Sequence, residues 1–144
     1  MNSELDLKAM LPVIEEVLSS GGEFTFVPNG RSMLPMLHGG RDSVTVIRPS
    51  GRLKKNALPL YRRKNGAFVM HRVIKVLPDG YVMRGDAQFS SERIEDSQII
   101  AVMKSFTRNG KKYRENSLFY RLYCLIWRFY PAKRFLLHFI LRKV

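Results

Sequence analysis

Short runs of strand-forming residues alternate with turn residues from residue 23 to about residue 108, and this alternation constrains the fold most strongly. The separators are rich in Gly, Pro, Asn and Asp, the residues that tight turns favour. Asn65-Gly66 and Asp79-Gly80 predict hairpins with positive φ. The predicted strands are residues 24–27, 43–47, 60–62, 67–76, 81–84 and 99–106. We therefore expect a mainly β fold, built on a small antiparallel barrel-like sheet.

Helices are predicted on both sides of this core. Before it, Gly21-Gly22 ends a run of apolar residues at helical spacing: Leu7, Met10, Leu11, Ile14, Val17 and Leu18. This helix begins either at the possible cap Ser3 or near Met10, because Pro12 would cost about 3 kcal/mol in a helix interior. After the core, two short amphipathic helices separated at Pro131 fit the apolar pattern. The predicted units are thus a helix over 1–22, a core over 23–108 and a helical tail over 109–144.

Size, cysteine content and charge limit the functional classes. The 144 residues, 45% of them hydrophobic, suffice for one domain with a real core. The single cysteine, Cys124, excludes an intramolecular disulfide framework and any multi-cysteine metal site, and we expect no metal and no cofactor. The first twenty residues lack a basic leader followed by an apolar run, so they do not read as a signal peptide. The net charge of +13 predicts an anionic neighbour, either lipid head groups or nucleic acid.

A serine lies in a glycine-containing bend, within Pro28-Asn-Gly-Arg-Ser32-Met-Leu-Pro35. A serine held at such a bend can present its hydroxyl to solvent beside a backbone N–H, as a nucleophile and its oxyanion hole require. Most serines in such loops only cap turns, so the bend by itself is weak evidence.

A histidine interrupts the apolar run Phe68-Val-Met-His71-Arg-Val. A neutral imidazole, whose ordinary pKa is about 6.5, can accept a hydroxyl proton near pH 7. The structural alternative is a core histidine with a satisfied hydrogen bond. Together with the bend, however, His71 forms a candidate pair, in which Ser32 is the nucleophile and His71 the general base.

Four segments in chain order resemble the S24/S26 serine peptidase superfamily, which includes signal peptidases, LexA and phage repressors: Gly30-Arg-Ser-Met-Leu-Pro, Leu60-Tyr-Arg-Arg, Val69-Met-His-Arg-Val and Arg84-Gly-Asp-Ala. The resemblance covers roughly residues 24–106. Bacterial signal peptidases and LexA have a lysine base where this chain has His71, so the chain resembles the histidine branch of archaeal and endoplasmic-reticulum enzymes. Lys75 is an alternative base on the same predicted strand face, although it lies ~13 Å further along at ~3.3 Å per residue.

The resemblance also implies a third residue and an oxyanion hole. In the histidine-type members an aspartate of the Gly-Asp box supports the imidazole, which here corresponds to Asp86; a turn aspartate is the alternative. Glu92 stands near a further aspartate of those relatives and is a second candidate support. The residue two places before the nucleophile is Gly30 rather than the serine of many signal peptidases. The hole is therefore expected in the loop of Gly30, Ser32 and Met33, where it relies on backbone N–H groups.

Membrane contact is predicted from the tail. Residues 108–144 carry ten lysines and arginines against one acid, Glu115, and they alternate with aromatic residues. Four of those cations lie within residues 118–141, and each would cost at least ~2.5 kcal/mol at a bilayer centre, so an interfacial position is favoured over a span. We expect peripheral association on the cytoplasmic side. The alternatives are a helical pair packed on the core with solvated arginines, or a surface for single-stranded nucleic acid.

A second basic stretch, residues 44–78, holds nine lysines and arginines and no acid. These charges either prevent association between exposed sheet edges or face lipid beside the candidate site.

The expected function is a serine endopeptidase that cleaves an extended signal-like or leader peptide through an acyl-enzyme on Ser32. The rival is a catalytically silent, repressor-like protein that keeps the fold and binds DNA or membrane. Some twenty residues before residue 23 are too few for a helix-turn-helix module, so nucleic acid is not the expected partner.

Overall fold

The computed structural model describes residues 3–127, 136, 138–140 and 142 of the chain. Over this part the fold is mainly β, with antiparallel strands between an N-terminal and a C-terminal helix, as the sequence predicts. The elements in chain order are α1 (Ser3–Ser19), β1 (Phe24–Phe26), β2 (Ser43–Ile47), β3 (Pro59–Arg62), β4 (Phe68–Met70), β5 (Arg72–Leu77), β6 (Gly80–Arg84), β7 (Glu92–Glu95), a 3-10 turn (Asp96–Gln98), β8 (Ile99–Arg108), β9 (Lys111–Arg114) and α2 (Leu118–Trp127).

The strands form two antiparallel sheets, where the sequence predicted one. The larger sheet has the order β1-β2-β8-β3-β4, with β9 added to β8, and the smaller has the order β5-β6-β7. Strand β2 shows why the larger sheet forms, since its burial alternates and its inward Val44 and Val46 are fully buried. The order leaves β1 and β4 as edge strands.

His71 marks the passage from one sheet to the other. The predicted single strand over 67–76 is divided, because β4 pairs with β3 in the larger sheet and β5 pairs with β6 in the smaller. Strand-forming residues lie on both sides of His71 and Arg72, so periodicity alone could not reveal this break. The register of β5 also shifts between Val73 and Lys75, and Lys75 is exposed. Lys75 and His71 therefore do not share a strand face, contrary to the expectation for an alternative base.

Helix α1 begins at Ser3, so the predicted later start near Met10 is wrong. Pro12 lies inside the helix but is exposed, and water can bond the carbonyl of Lys8 that proline leaves without a partner. The face toward the core consists of Leu7, Leu11, Ile14 and Leu18.

The two predicted tight turns differ in the backbone conformation of their glycines. Gly66 has a φ of 93°, as predicted for Asn65-Gly66. Gly80 instead opens β6 without a positive φ, and a Cβ there would lie 2.0 Å from the carbonyl oxygen of Ile94. Glycine is needed at this position because β6 and β7 approach closely.

The sequence did not predict strands β7 and β9, because both are rich in charged residues. Each strand turns one apolar residue inward: Ile94 in β7 is buried, and Tyr113 in β9 is half-buried.

Helix α2 packs on the core through Tyr120, Cys124 and Trp127. The first tail helix is thus confirmed as far as Trp127. The predicted break at Pro131 lies outside the described residues, whereas residues 136 and 138–140 of the second predicted tail helix are described and helical. Among the residues that the structure describes, no helix has the length and apolarity needed to cross a membrane.

Candidate active site

Ser32 and His71 line the same cleft, which has a volume of about 370 Å³. The cleft lies beside α1 and the edge strands β1 and β4, because Leu7, Phe26 and Met70 also line it. The fold thus places both residues that the sequence pairs along one cleft, and among the described residues no hydrogen bond joins them. Apolar walls with a few polar groups are typical of sites that bind organic ligands.

Asp42 anchors the end of the loop that carries Ser32. Its side chain is 1% exposed and accepts hydrogen bonds from the backbone N–H groups of His38 (2.8 Å) and Asn109 (3.0 Å). Burial would raise the pKa of Asp42, but the hydrogen bonds from Arg41, Asn109 and His38 lower it to about 2. An ionised carboxylate therefore holds the loop to the strand end at Asn109.

The middle of the loop is tied to the turn after β6. The amide of Ala87 donates to the carbonyl oxygen of Ser32 at 2.9 Å. A Cβ on Gly85 would lie 2.6 Å from that same oxygen, so the contact requires glycine. Within the described part of the chain, the amides of Ser32 and Met33 donate no hydrogen bond, which leaves them available to an oxygen in the cleft. Gly30, the other predicted member of this loop, also lines the cleft and has a φ of 89°.

The hydrogen bonds around His71 determine which ring nitrogen carries the proton. Nδ1 lies 3.3 Å from the hydroxyl oxygen of Tyr61, and that hydroxyl donates its single proton to Glu92. Burial and the contact with Glu92 raise the pKa of Tyr61, so the hydroxyl stays protonated. Its oxygen can therefore only accept from Nδ1–H. The neutral ring is protonated on Nδ1, and Nε2 holds the lone pair of a general base.

Glu92 is the carboxylate that faces His71. Its Oε1 lies 3.8 Å from Nδ1, and Arg63 binds the carboxylate with two nitrogens, at 3.0 Å to Oε2 and 2.9 Å to Oε1. Burial would raise the pKa of Glu92, but the hydrogen bonds from Arg63 and Tyr61 hold it below the ordinary value. The carboxylate is ionised at neutral pH and can stabilise a positive charge on the ring.

Burial has the largest effect on the pKa of His71, which is 5% exposed. Burial lowers the pKa of His71 to about 4, and Glu92 opposes this shift only in part. The imidazole is consequently neutral throughout the physiological range. A neutral ring with a free Nε2 can accept a proton from a hydroxyl in the cleft.

The structure places Asp86 on Arg72 rather than on His71. Both residues are buried, and two hydrogen bonds join them, at 2.8 Å from Nε and 2.9 Å from Nη2. Tyr123 donates to the same carboxylate at 2.6 Å. In the described part of the chain no hydrogen bond joins Asp86 to His71, and the Asp86 carboxylate raises the pKa of His71 less than Glu92 does. Of the two carboxylates that the sequence proposes as supports of the imidazole, Glu92 is the one that lies beside the ring.

Two residues of this cluster, Tyr61 and Arg63, had no predicted role. They belong to the Leu60-Tyr-Arg-Arg segment, which carried the family resemblance but has no spacing that links it to Glu92, 29 residues beyond Arg63. No family model, curated protein or solved structure matches the chain. The chemistry of the cleft must therefore be inferred from its own residues.

Proposed function

We propose that the chain is a serine endopeptidase of the S24/S26 superfamily, of the signal-peptidase and LexA type, with Ser32 as nucleophile and His71 as general base. One observation carries the proposal: Ser32 and His71 line one cleft, and Tyr61 engages Nδ1 so that Nε2 is free to act as the base. The mainly antiparallel fold with flanking helices agrees with the type of core that the sequence resemblance implies.

The proposed reaction begins when a substrate carbonyl enters the cleft. Ser32 Oγ attacks the carbonyl carbon while Nε2 of His71 takes the hydroxyl proton, and the loop amides donate to the oxyanion. The carboxylate of Glu92, 3.8 Å from Nδ1, stabilises the imidazolium. The imidazolium then protonates the leaving amine, and an ester on Ser32 remains. His71 then deprotonates a water that attacks the ester, and the imidazolium returns the proton to Ser32 Oγ as the carboxylic acid leaves.

The proposed substrate is an extended peptide of the signal or leader kind. The positions of β1 and β4 at the edges of the larger sheet support this substrate class, because Phe26 of β1 and Phe68 of β4 line the cleft. A peptide strand can add to such an edge through main-chain hydrogen bonds while its side chains enter the apolar cleft. Small residues before the cut are what the family resemblance implies.

The proposed location is the cytoplasmic face of a membrane, with peripheral attachment through the C-terminal helical tail. The outer side of α2 supports it, since Leu118, Leu122 and Leu125 are 73%, 48% and 53% exposed. Exposed apolar residues on a helix within a strongly basic segment are typical of interfacial attachment.

A serine-reactive acylating probe with peptide mapping tests the mechanism. We expect label on Ser32 in the wild type and none in the Ser32→Ala variant. The His71→Ala variant should lose the label while its circular dichroism spectrum shows a folded chain. The matched control is Ser91→Ala, an exposed serine next to Glu92, which should label like the wild type. Labelling of Ser32 that does not need His71, or peptide cleavage by Ser32→Ala, would overturn the proposal.

A further inference from the structure

A groove separate from the Ser32 cleft lies between α2 and the loop that joins β2 to β3. Its volume is about 670 Å³, compared with about 370 Å³ for the cleft. The floor is apolar and buried, and it consists of Leu53, Leu58, Met103, Tyr120 and Cys124. A floor of this kind can hold hydrocarbon.

The rim of the groove is cationic. Arg48, Lys54, Lys55 and Arg121 line it, are exposed and, among the described residues, form no ion pair. Arg52 also lines the groove, but Asp96 binds it at 3.1 Å. Glu115 is the one acid in the described lining. Because four rim cations form no ion pair in the described part of the chain and a single acid lies among them, an anionic group in the groove would be attracted from several sides.

The groove continues onto the outer face of α2. Leu125 lines the groove and is 53% exposed. Leu118, Leu122 and Ile126, which follow one another at intervals of four residues, are exposed on the same side of the helix. The opposite side packs on the core. An apolar surface, a cationic rim and an apolar floor thus meet at one place, which matches the chemistry of an anionic amphiphile.

We propose that this groove binds an anionic phospholipid, with its phosphate at the cationic rim and the beginning of its acyl chain on the apolar floor, while the outer face of α2 rests in the same leaflet. The proposal rests on the membrane attachment proposed above and specifies its partner; it does not depend on the chemistry of Ser32. A single-stranded nucleic acid fits less well, because stacking needs exposed rings. Tyr120, the aromatic residue in the described lining, is 5% exposed and its hydroxyl is bonded to Asn56.

The test is co-sedimentation with vesicles of pure phosphatidylcholine and of phosphatidylcholine mixed with phosphatidylglycerol. We expect the wild type to bind the mixed vesicles at least about tenfold more tightly than the neutral ones. The double variant Lys54→Glu/Lys55→Glu should lose most of this binding. Its matched control is Lys111→Glu/Lys112→Glu, which changes the net charge equally at exposed residues outside the groove. The groove variant should bind at least about tenfold more weakly than the control variant.

Three outcomes would overturn the lipid proposal. One is an equal loss in both double variants, which would indicate a general effect of net charge. Another is displacement of the protein by inorganic phosphate at the concentration of lipid phosphate, since a free anion would then suffice. The third is binding to a single-stranded oligonucleotide without binding to vesicles. A Leu125→Asn variant, which keeps every charge, should also weaken vesicle binding, and wild-type affinity in this variant would exclude the apolar contact.

The vesicle assay is independent of catalysis. The Ser32→Ala variant should bind vesicles like the wild type, so failure of the groove proposal and failure of the peptidase proposal give different results.

Discussion

Arg72 and Asp86 form a bidentate ion pair inside the protein, with distances of 2.8 Å from Nε to Oδ1 and 2.9 Å from Nη2 to Oδ2. Residues of α2 complete their hydrogen bonds, because Tyr120 accepts from Arg72 and Trp127 donates to the Asp86 carbonyl. Asp86 lies in the turn whose next residue, Ala87, holds Ser32. The ion pair therefore joins the C-terminal helix to the candidate nucleophile loop.

Replacement of Asp86 by Asn should destabilise the fold by roughly 3–5 kcal/mol, since Arg72 would remain buried without its counter-charge. Urea denaturation gives this free energy of unfolding. The matched control is Asp96→Asn, which breaks the exposed pair with Arg52 and should cost about 1 kcal/mol or less. Equal losses in both variants would contradict a structural role for the buried pair.

Replacement of Glu92 by Gln should lower kcat/KM about ten- to a hundredfold, because the imidazolium formed during attack loses its stabilising charge. Glu92 raises the pKa of His71, so the substitution should also move the acid limb of the pH–rate profile to lower pH. The neighbouring Glu95, exposed and paired with Lys64, provides the control Glu95→Gln, which should change neither quantity. A normal rate in Glu92→Gln would remove Glu92 from the site.

The stability of the protein should decrease as the pH falls from about 6.5 toward 4, because the unfolded chain gains a proton at residue 71 that the folded chain does not bind. Burial depresses the pKa of His71, so its contribution is fully present above the unfolded value and is lost through this window, by about 3 kcal/mol. Urea denaturation over this pH range measures the slope. His71→Asn should flatten it, whereas His38→Asn, a histidine outside this cluster, should retain it. An unchanged slope in His71→Asn would show that another group is responsible.

Replacement of Gly85 by Ala should displace the nucleophile loop, since the new Cβ would lie 2.6 Å from the carbonyl oxygen of Ser32. We expect kcat/KM to fall about a hundredfold, because a shift of order 1 Å in a reacting group has an effect of that size. Gly110→Ala is the control. The φ of Gly110 is 84°, so alanine strains the backbone there, but its Cβ would meet no atom within 4 Å and Gly110 does not line the cleft. The control should lose about 1–2 kcal/mol of stability and keep its activity. A comparable loss of activity in both variants would indicate instability rather than displacement.

Local patterns predicted much of the fold. The alternation in residues 43–47 matched β2, and the apolar spacing after Ser3 matched α1. Prediction failed where longer-range pairing decides the outcome. The run from Phe68 to Val76 is rich in strand-forming residues on both sides of His71, yet its two halves pair in different sheets, so the break at His71 depends on partners elsewhere in the chain.

The sequence by itself determined most of the helices, strands and turns, and it indicated Ser32 and His71, because periodicity, turn residues and short motifs act over a few neighbouring positions. Only the tertiary structure decided which carboxylate lies beside the imidazole. Asp86 stands in the motif, but the extended chain turns Arg72 toward it, whereas the pairing of separate strands brings Tyr61 and Glu92 to the ring. Contacts between residues some thirty positions apart depend on how the sheets fold together, and no local pattern encodes them.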